Sequence, residues 1–73
     1  MATETVMVPI PGKVIRINTS AGSQIKEGES ICEIESMKME NPIVSPVIGT
    51  IVEIKVKPDQ TVNTGETIAI IEY

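Results

Sequence analysis

Slid along itself by 37 positions, the chain matches itself without a gap, so that residues 9–35 fall on residues 46–72. Pro9 lands on Pro46, Gly12 on Gly49, Ile17 on Ile54, Gly28 on Gly65 and Glu29 on Glu66. Ile31, Ile34 and Glu35 land on Ile68, Ile71 and Glu72, with conservative matches around them: Val14 with Ile51, Ile15 with Val52, Ile25 with Val62. Two like units, each with one apolar face, must bury those faces against each other about a pseudo-two-fold axis. A chain of 73 residues has no room for a second core, so residues 1–73 read as one domain.

Side-chain chemistry decides what the copies are made of. Thirteen Ile, eight Val and seven Thr, with no Leu, Phe, Trp or His, make the chain rich in β-branched residues. These are stiff at the first side-chain torsion and pack well on a pleated surface, and no sustained helical stripe competes with them. Each copy reads as strand, turn, short strand, turn, strand. In the first, Lys13–Thr19 alternates, with Ile15 and Ile17 on the inner face and Val14, Arg16 and Asn18 on the other. Ala21-Gly22-Ser23 breaks it, Gln24–Lys26 carries Ile25 inward, and Glu27-Gly28-Glu29 turns again with Gly28 at positive φ. Ile31–Ser36 then runs on with Cys32 and Ile34 inward. The second copy places Val52, Ile54, Val56, Val62, Ala69 and Ile71 inward, with turns at Pro58-Asp59-Gln60 and Thr64-Gly65, and Pro42–Ser45 links the halves. Gly12 and Gly49, like Gly28 and Gly65, read as turn positions. The predicted fold is all-β, a flattened β-barrel or sandwich of about eight short strands.

Charge and cysteine usage remove several classes of function. A net charge of −4, with six basic residues dispersed along the chain, offers no basic patch for nucleic acid. No apolar run is long enough to span a bilayer, and Met1–Pro11 lacks the cationic start of a signal peptide, so no direct membrane insertion is expected. Cys32 is the single cysteine, which forbids an internal disulfide and fits a reducing, cytoplasmic setting. It aligns with Ala69 and reads as a small core residue, and without His or a second Cys no metal site is expected. The pairs Glu27/Glu29 and Glu33/Glu35 read as solvated faces.

The run Glu35-Ser36-Met37-Lys38-Met39-Glu40-Asn41 occupies the junction that the repeat leaves unmatched. One strand enters at Ile31–Ser36 and another leaves at Met39–Ser45, which predicts a tight hairpin at Met37-Lys38. A residue at such a tip has its side chain in water on a rigid backbone, the presentation a modifying enzyme can recognise by shape. Shifted by the repeat, Lys38 falls on Met1 in one direction and just past Tyr73 in the other. The lysine turn is therefore predicted at one end of the barrel and both termini at the other. Methionine usually fills gaps in cores, but two of them flanking a turn lysine are hard to justify by packing alone. Glu35 and Glu40 add negative charge nearby. With no His in the chain to act as a base, a partner enzyme must take the proton from the amine.

This run resembles the attachment site of biotinyl domains, the biotin carboxyl carrier proteins and carrier domains of biotin-dependent carboxylases and decarboxylases. Val8-Pro9-Ile10-Pro11-Gly12-Lys13-Val14 is similar to that family's opening, Gly22 through Glu29 to its first glycine-bounded turn, and the resemblance spans residues 8–72. It implies a barrel-sandwich hybrid fold with biotin amide-linked to Lys38, Met37 and Met39 as flanking recognition residues, and Glu35, Ser36 and Glu40 as hairpin context. It also implies partners. A biotin protein ligase would supply biotin from its adenylate. A biotin carboxylase would carboxylate the ureido nitrogen with bicarbonate and ATP, and a carboxyltransferase or decarboxylase subunit would receive the group. The chain itself would catalyse neither step. Ser36 departs from the Ala usual before Met-Lys-Met but is small enough to fit. The gapless register leaves no space for the protruding thumb of some bacterial acetyl-CoA carboxylase carriers, so a thumbless domain is expected. Two rival readings remain. A lipoyl or dual biotin/lipoyl attachment protein would carry acyl or aminomethyl groups, although lipoyl domains typically show Asp-Lys-Ala where methionines stand here. An unmodified barrel-sandwich adaptor would need no lysine at the turn.

Overall fold

A computed structural model describes residues 2–73. Eight strands account for the regular structure among them: β1 (Thr3–Met7), β2 (Gly12–Ile17), β3 (Gln24–Ile25), β4 (Ser30–Ser36), β5 (Met39–Val44), β6 (Gly49–Ile54), β7 (Thr61–Val62) and β8 (Thr67–Glu72). They form two four-stranded antiparallel sheets, ordered β1-β8-β6-β3 and β5-β4-β2-β7, the barrel-sandwich hybrid expected. The repeat reaches further than the sequence match did. Shifted by 37 residues, β1 to β4 fall on β5 to β8 to within a residue at the ends, and β1, which the sequence did not reveal, is the image of β5.

The copies interlock, because each sheet draws strands from both halves. β1 pairs with β8, β2 with β7 and β3 with β6. Bonds outside the strands come in symmetric pairs. The Val14 N–H donates to the Gln60 carbonyl at 2.9 Å, and its image, the Ile51 N–H, donates to the Ser23 carbonyl at 2.8 Å. Gly28 N–H donates to the Ser45 carbonyl at 2.8 Å, and Gly65 N–H to that of Val8 at 2.9 Å.

Ile25, Ile31, Ile34, Ile51, Ile68, Ile71, Val14 and Val62 fill the core between the sheets, and Cys32 and Ala69 occupy equivalent places, both fully buried. The inner face of β2 and β6 differs from the alternation expected. Val14 is buried and Ile15 only half-buried; Ile51 is buried while Val52 is 50% exposed. Register against β4 slips between Val14 and Arg16 of β2, and register against β8 slips between Ile51 and Glu53 of β6. A bulge inserts one residue, so Val14 with Ile17, and Ile51 with Ile54, share the inner face at a spacing that strict alternation forbids.

Gly12 and Gly49 are not turn residues. They open β2 and β6, where a Cβ would strike the backbone carbonyl of Glu35 or Glu72. Gly28 and Gly65 do take positive φ, as expected.

From the lysine hairpin, β5 carries the chain away to Gly49, which lies against Glu72 and so beside the terminal strand pair. There Ala2 and Tyr73 exchange backbone hydrogen bonds of 2.9 Å, the image of the Ser36–Met39 pair at the hairpin. Hairpin and terminal pair thus lie at opposite ends of a body 36 Å long and 18 × 17 Å across. Met1, one of the positions onto which Lys38 projects, lies outside the described residues.

Candidate functional site

Strand β4 ends at Ser36, β5 begins at Met39, and Met37 and Lys38 alone make the turn between them. Their φ angles are +54° and +65°. Positive φ at both central residues defines the mirror-image two-residue turn, whose twist continues that of the strands and which usually recruits Asn-Gly. Holding two residues that carry Cβ atoms there costs on the order of 1–3 kcal/mol each. Such strain persists only where the surroundings over-determine the backbone, and here the side chains of Ser36, Asn41 and Arg16 brace the base of the hairpin. The Ser36 hydroxyl donates to the Pro11 carbonyl at 2.7 Å, tying β4 to the segment before β2. Asn41 Nδ2 donates to the Met39 carbonyl at 3.2 Å. Arg16, on β2, reaches across the sheet to Glu33 at 2.7 Å and Glu40 at 3.4 Å.

Glu33 also accepts a hydrogen bond from Asn18 Nδ2 at 3.1 Å. The Asn18 amide and the Arg16 guanidinium together hold its carboxyl below the usual carboxylate range. In return, the hydrogen bond and charge of Glu33 bind the proton of Arg16 more firmly. Sequence reasoning assigned no role to Arg16, Asn18, Asn41 or Pro11. The repeat held a signal for the first two: Arg16 and Asn18 project onto Glu53 and Lys55, so the copies differ in side-chain chemistry at these positions.

Beyond this braced base everything faces water. Met37 is 92% and Met39 66% exposed, and Lys38 is exposed between them. Neither methionine belongs to the core. Glu35 is exposed, and Glu40 is engaged with Arg16 rather than with the lysine. Among the described residues no carboxylate lies within ion-pairing distance of Lys38. Lys13, Arg16, Glu35, Glu40 and Asp59 line a shallow groove beside the hairpin, and Lys38 stands outside it. The arrangement offers a primary amine free to form an amide, with no enclosing cavity and no base beside it.

A duplicated β domain that presents one unpaired lysine on a rigid hairpin has the architecture of a module that carries a covalently attached group. Comparison with known proteins supplies the family. The model described as biotin-requiring enzyme matches residues 4–71, and the chain belongs to that family. Mouse (Mus musculus) mitochondrial pyruvate carboxylase is 41% identical over 64 residues, which are 88% of this chain and 5% of that protein. The biotin carboxyl carrier protein of Streptococcus mutans serotype c (strain ATCC 700610 / UA159) is 36% identical over 70 residues, 96% of this chain and 54% of the relative. The biotin/lipoyl attachment protein of Bacillus subtilis (strain 168) is 38% identical over 64 residues, 88% of each. The chain thus spans about half of the carrier protein and a small part of the carboxylase. The solved urea carboxylase of Kluyveromyces lactis superposes with a TM-score of 0.92 over 99% of this chain and 6% of its own, at 22% identity, and shows the same fold.

Proposed function

We propose that Lys38 is the attachment point for biotin and that the domain carries carboxyl groups between the active sites of partner enzymes. The observation that carries this reading is the solvent-exposed lysine on a strained two-residue turn, flanked by two exposed methionines and free of ion pairs among the described residues. The residues present fit the group, since biotin attaches through its carboxylate and Lys38 offers an amine that no neighbour holds. When bound, biotin supplies a ureido nitrogen that takes up and gives off a carboxyl group.

The rest falls to the chain's own residues. The braced hairpin fixes the Lys38 backbone, so an arm attached there swings about a stationary anchor. Met37 and Met39 give a biotin protein ligase an apolar surface on either side of the amine. Lys38 Nζ loses its proton to a base on that ligase, because the chain has no His. A biotin carboxylase and a carboxyltransferase or decarboxylase subunit are the partners proposed for the loaded arm, and the gapless repeat supports a thumbless domain. A cytoplasmic setting, in which the unpaired Cys32 thiol stays reduced, completes the proposal.

Similarity to the attachment protein of Bacillus subtilis favours one second reading, lipoylation of the same lysine. Intact mass after expression with a biotin protein ligase separates them. A single biotinyl increment that disappears in Lys38→Arg is expected; a lipoyl increment, or none, rejects the biotin reading.

A further inference from the structure

Sulfur is distributed unevenly over this molecule. Cys32 is fully buried in the core, and burial first, with the Glu33 charge adding to it, pushes its thiol up to about 11. The thiolate is the form that attacks peroxide, so this cysteine is closed to oxidants both by access and by protonation. The exposed sulfur side chains among the described residues are Met7 at 55%, Met39 at 66% and Met37 at 92%, and the last two flank the lysine. Oxidant reaching the folded domain therefore meets thioethers at the hairpin tip and no reactive thiol.

We propose that Met37 and Met39 form a reversible oxidation site whose sulfoxides suppress modification of Lys38; this rests on the attachment reading above. The oxidant is hydrogen peroxide or an alkyl hydroperoxide. A lone pair on the thioether sulfur attacks the peroxide O–O bond, the S–O bond forms, and the remaining oxygen leaves as water or alcohol after taking up a proton. Sulfur is oxidised by two electrons and the peroxide reduced by two. A dithiol-dependent sulfoxide reductase reverses the step, returning thioether and water as the dithiol becomes a disulfide. Oxidation leaves the fold intact, because neither side chain belongs to the core. What changes is the surface next to the amine. Two flexible apolar side chains become polar sulfoxides, which resist desolvation against the apolar wall of an enzyme that must close around Lys38.

The test treats the whole 73-residue chain with hydrogen peroxide, maps sulfoxides by peptide mass, and then measures transfer by a biotin protein ligase and the thermal midpoint. Met37 is expected to oxidise first, with Cys32 untouched and the midpoint unchanged. Transfer to the oxidised chain is expected to slow roughly ten-fold or more, as loss of an apolar contact to an unpaired polar group implies. Treatment with methionine sulfoxide reductase restores it, and the double variant Met37→Leu/Met39→Leu, still holding Met7, transfers at one rate before and after peroxide. Full sulfoxidation at Met37 and Met39 with an unchanged rate overturns this inference alone. A chain that accepts no biotin even before peroxide overturns the attachment reading, and the inference with it.

Discussion

Gly28 and Gly65 lie at φ +83° and +92°, beyond the left-handed well that Met37 and Lys38 occupy at +54° and +65°. Nothing crowds a Cβ built on either glycine, so the constraint there is the backbone and not the space. Gly28→Val or Gly65→Val should therefore destabilise the fold by at least about 1 kcal/mol. Unchanged denaturant midpoints would contradict the conformation. The glutamates that follow explain why the repeat retains them. Glu29 Oε1 accepts the Lys26 N–H, and Glu66 Oε2 the Asn63 N–H, so each closes its own turn and is not merely a solvated face. Glu33 is likewise more than surface charge. Its carboxyl is held low in the folded state, so the stabilisation it brings is present above its ordinary value and is lost as pH falls through the folded one. Against Glu33→Gln, the native chain should lead in urea midpoint at about pH 6, and that lead should shrink steadily below roughly pH 4. A lead that stays constant down to pH 3 or so would remove Glu33 from the account.

At the level of strands, the repeat made β2 to β4 and β6 to β8 legible, because glycine, proline and β-branched positions recur at one fixed offset, while β5 and the lysine hairpin were read from the unmatched junction between the copies. It did not reveal β1. Thr3–Met7 and its image in β5 share a burial pattern but little sequence, with Thr5 standing where β5 has Pro42. Nor could alternation say which of two adjacent apolar residues turns inward. Val14-Ile15 and Ile51-Val52 satisfy a period of two in either phase, and the bulge that chooses between them is a property of the hydrogen-bond register with the neighbouring strand. The hairpin of the candidate site was read more fully, since Met37, Lys38 and Met39 occupy the junction that the repeat leaves unmatched. Its bracing was missed because Arg16, Glu33 and Glu40 meet only once three strands are side by side. Truncation measures the phase directly. Ile51→Ala should cost about 2–4 kcal/mol, as removal of a buried branched side chain does. Val52→Ala, half exposed on the same strand, should stay within about 0.5 kcal/mol. Equal costs would mean the bulge is absent.

For the molecule as a whole, duplication need not imply that each copy folds alone. A tandem of two independent units would leave every strand paired within its own half. Here β1 pairs with β8, β2 with β7 and β3 with β6, all of them contacts between halves. Among the described residues only β4 with β2, and β8 with β6, pair within a copy, and each of those pairs has its apolar face covered by the other copy. Even the lysine hairpin joins strands of different halves, β4 of the first and β5 of the second. Residues 1–37 by themselves would keep one two-stranded ladder, with Val14, Ile31 and Ile34 facing water instead of Ile51, Ile68 and Ile71. An isolated two-stranded ladder is at best marginally stable in water. Either half, cut between Met37 and Lys38, should show no cooperative thermal transition by circular dichroism, while the intact chain melts in one step. If one half alone gave a native-like strand spectrum with its own sharp transition, the anchor of the lysine would be a local hairpin. If neither does, the rigidity beneath Lys38 comes from both copies at once, and weakening the core beside the termini should loosen the hairpin at the far end.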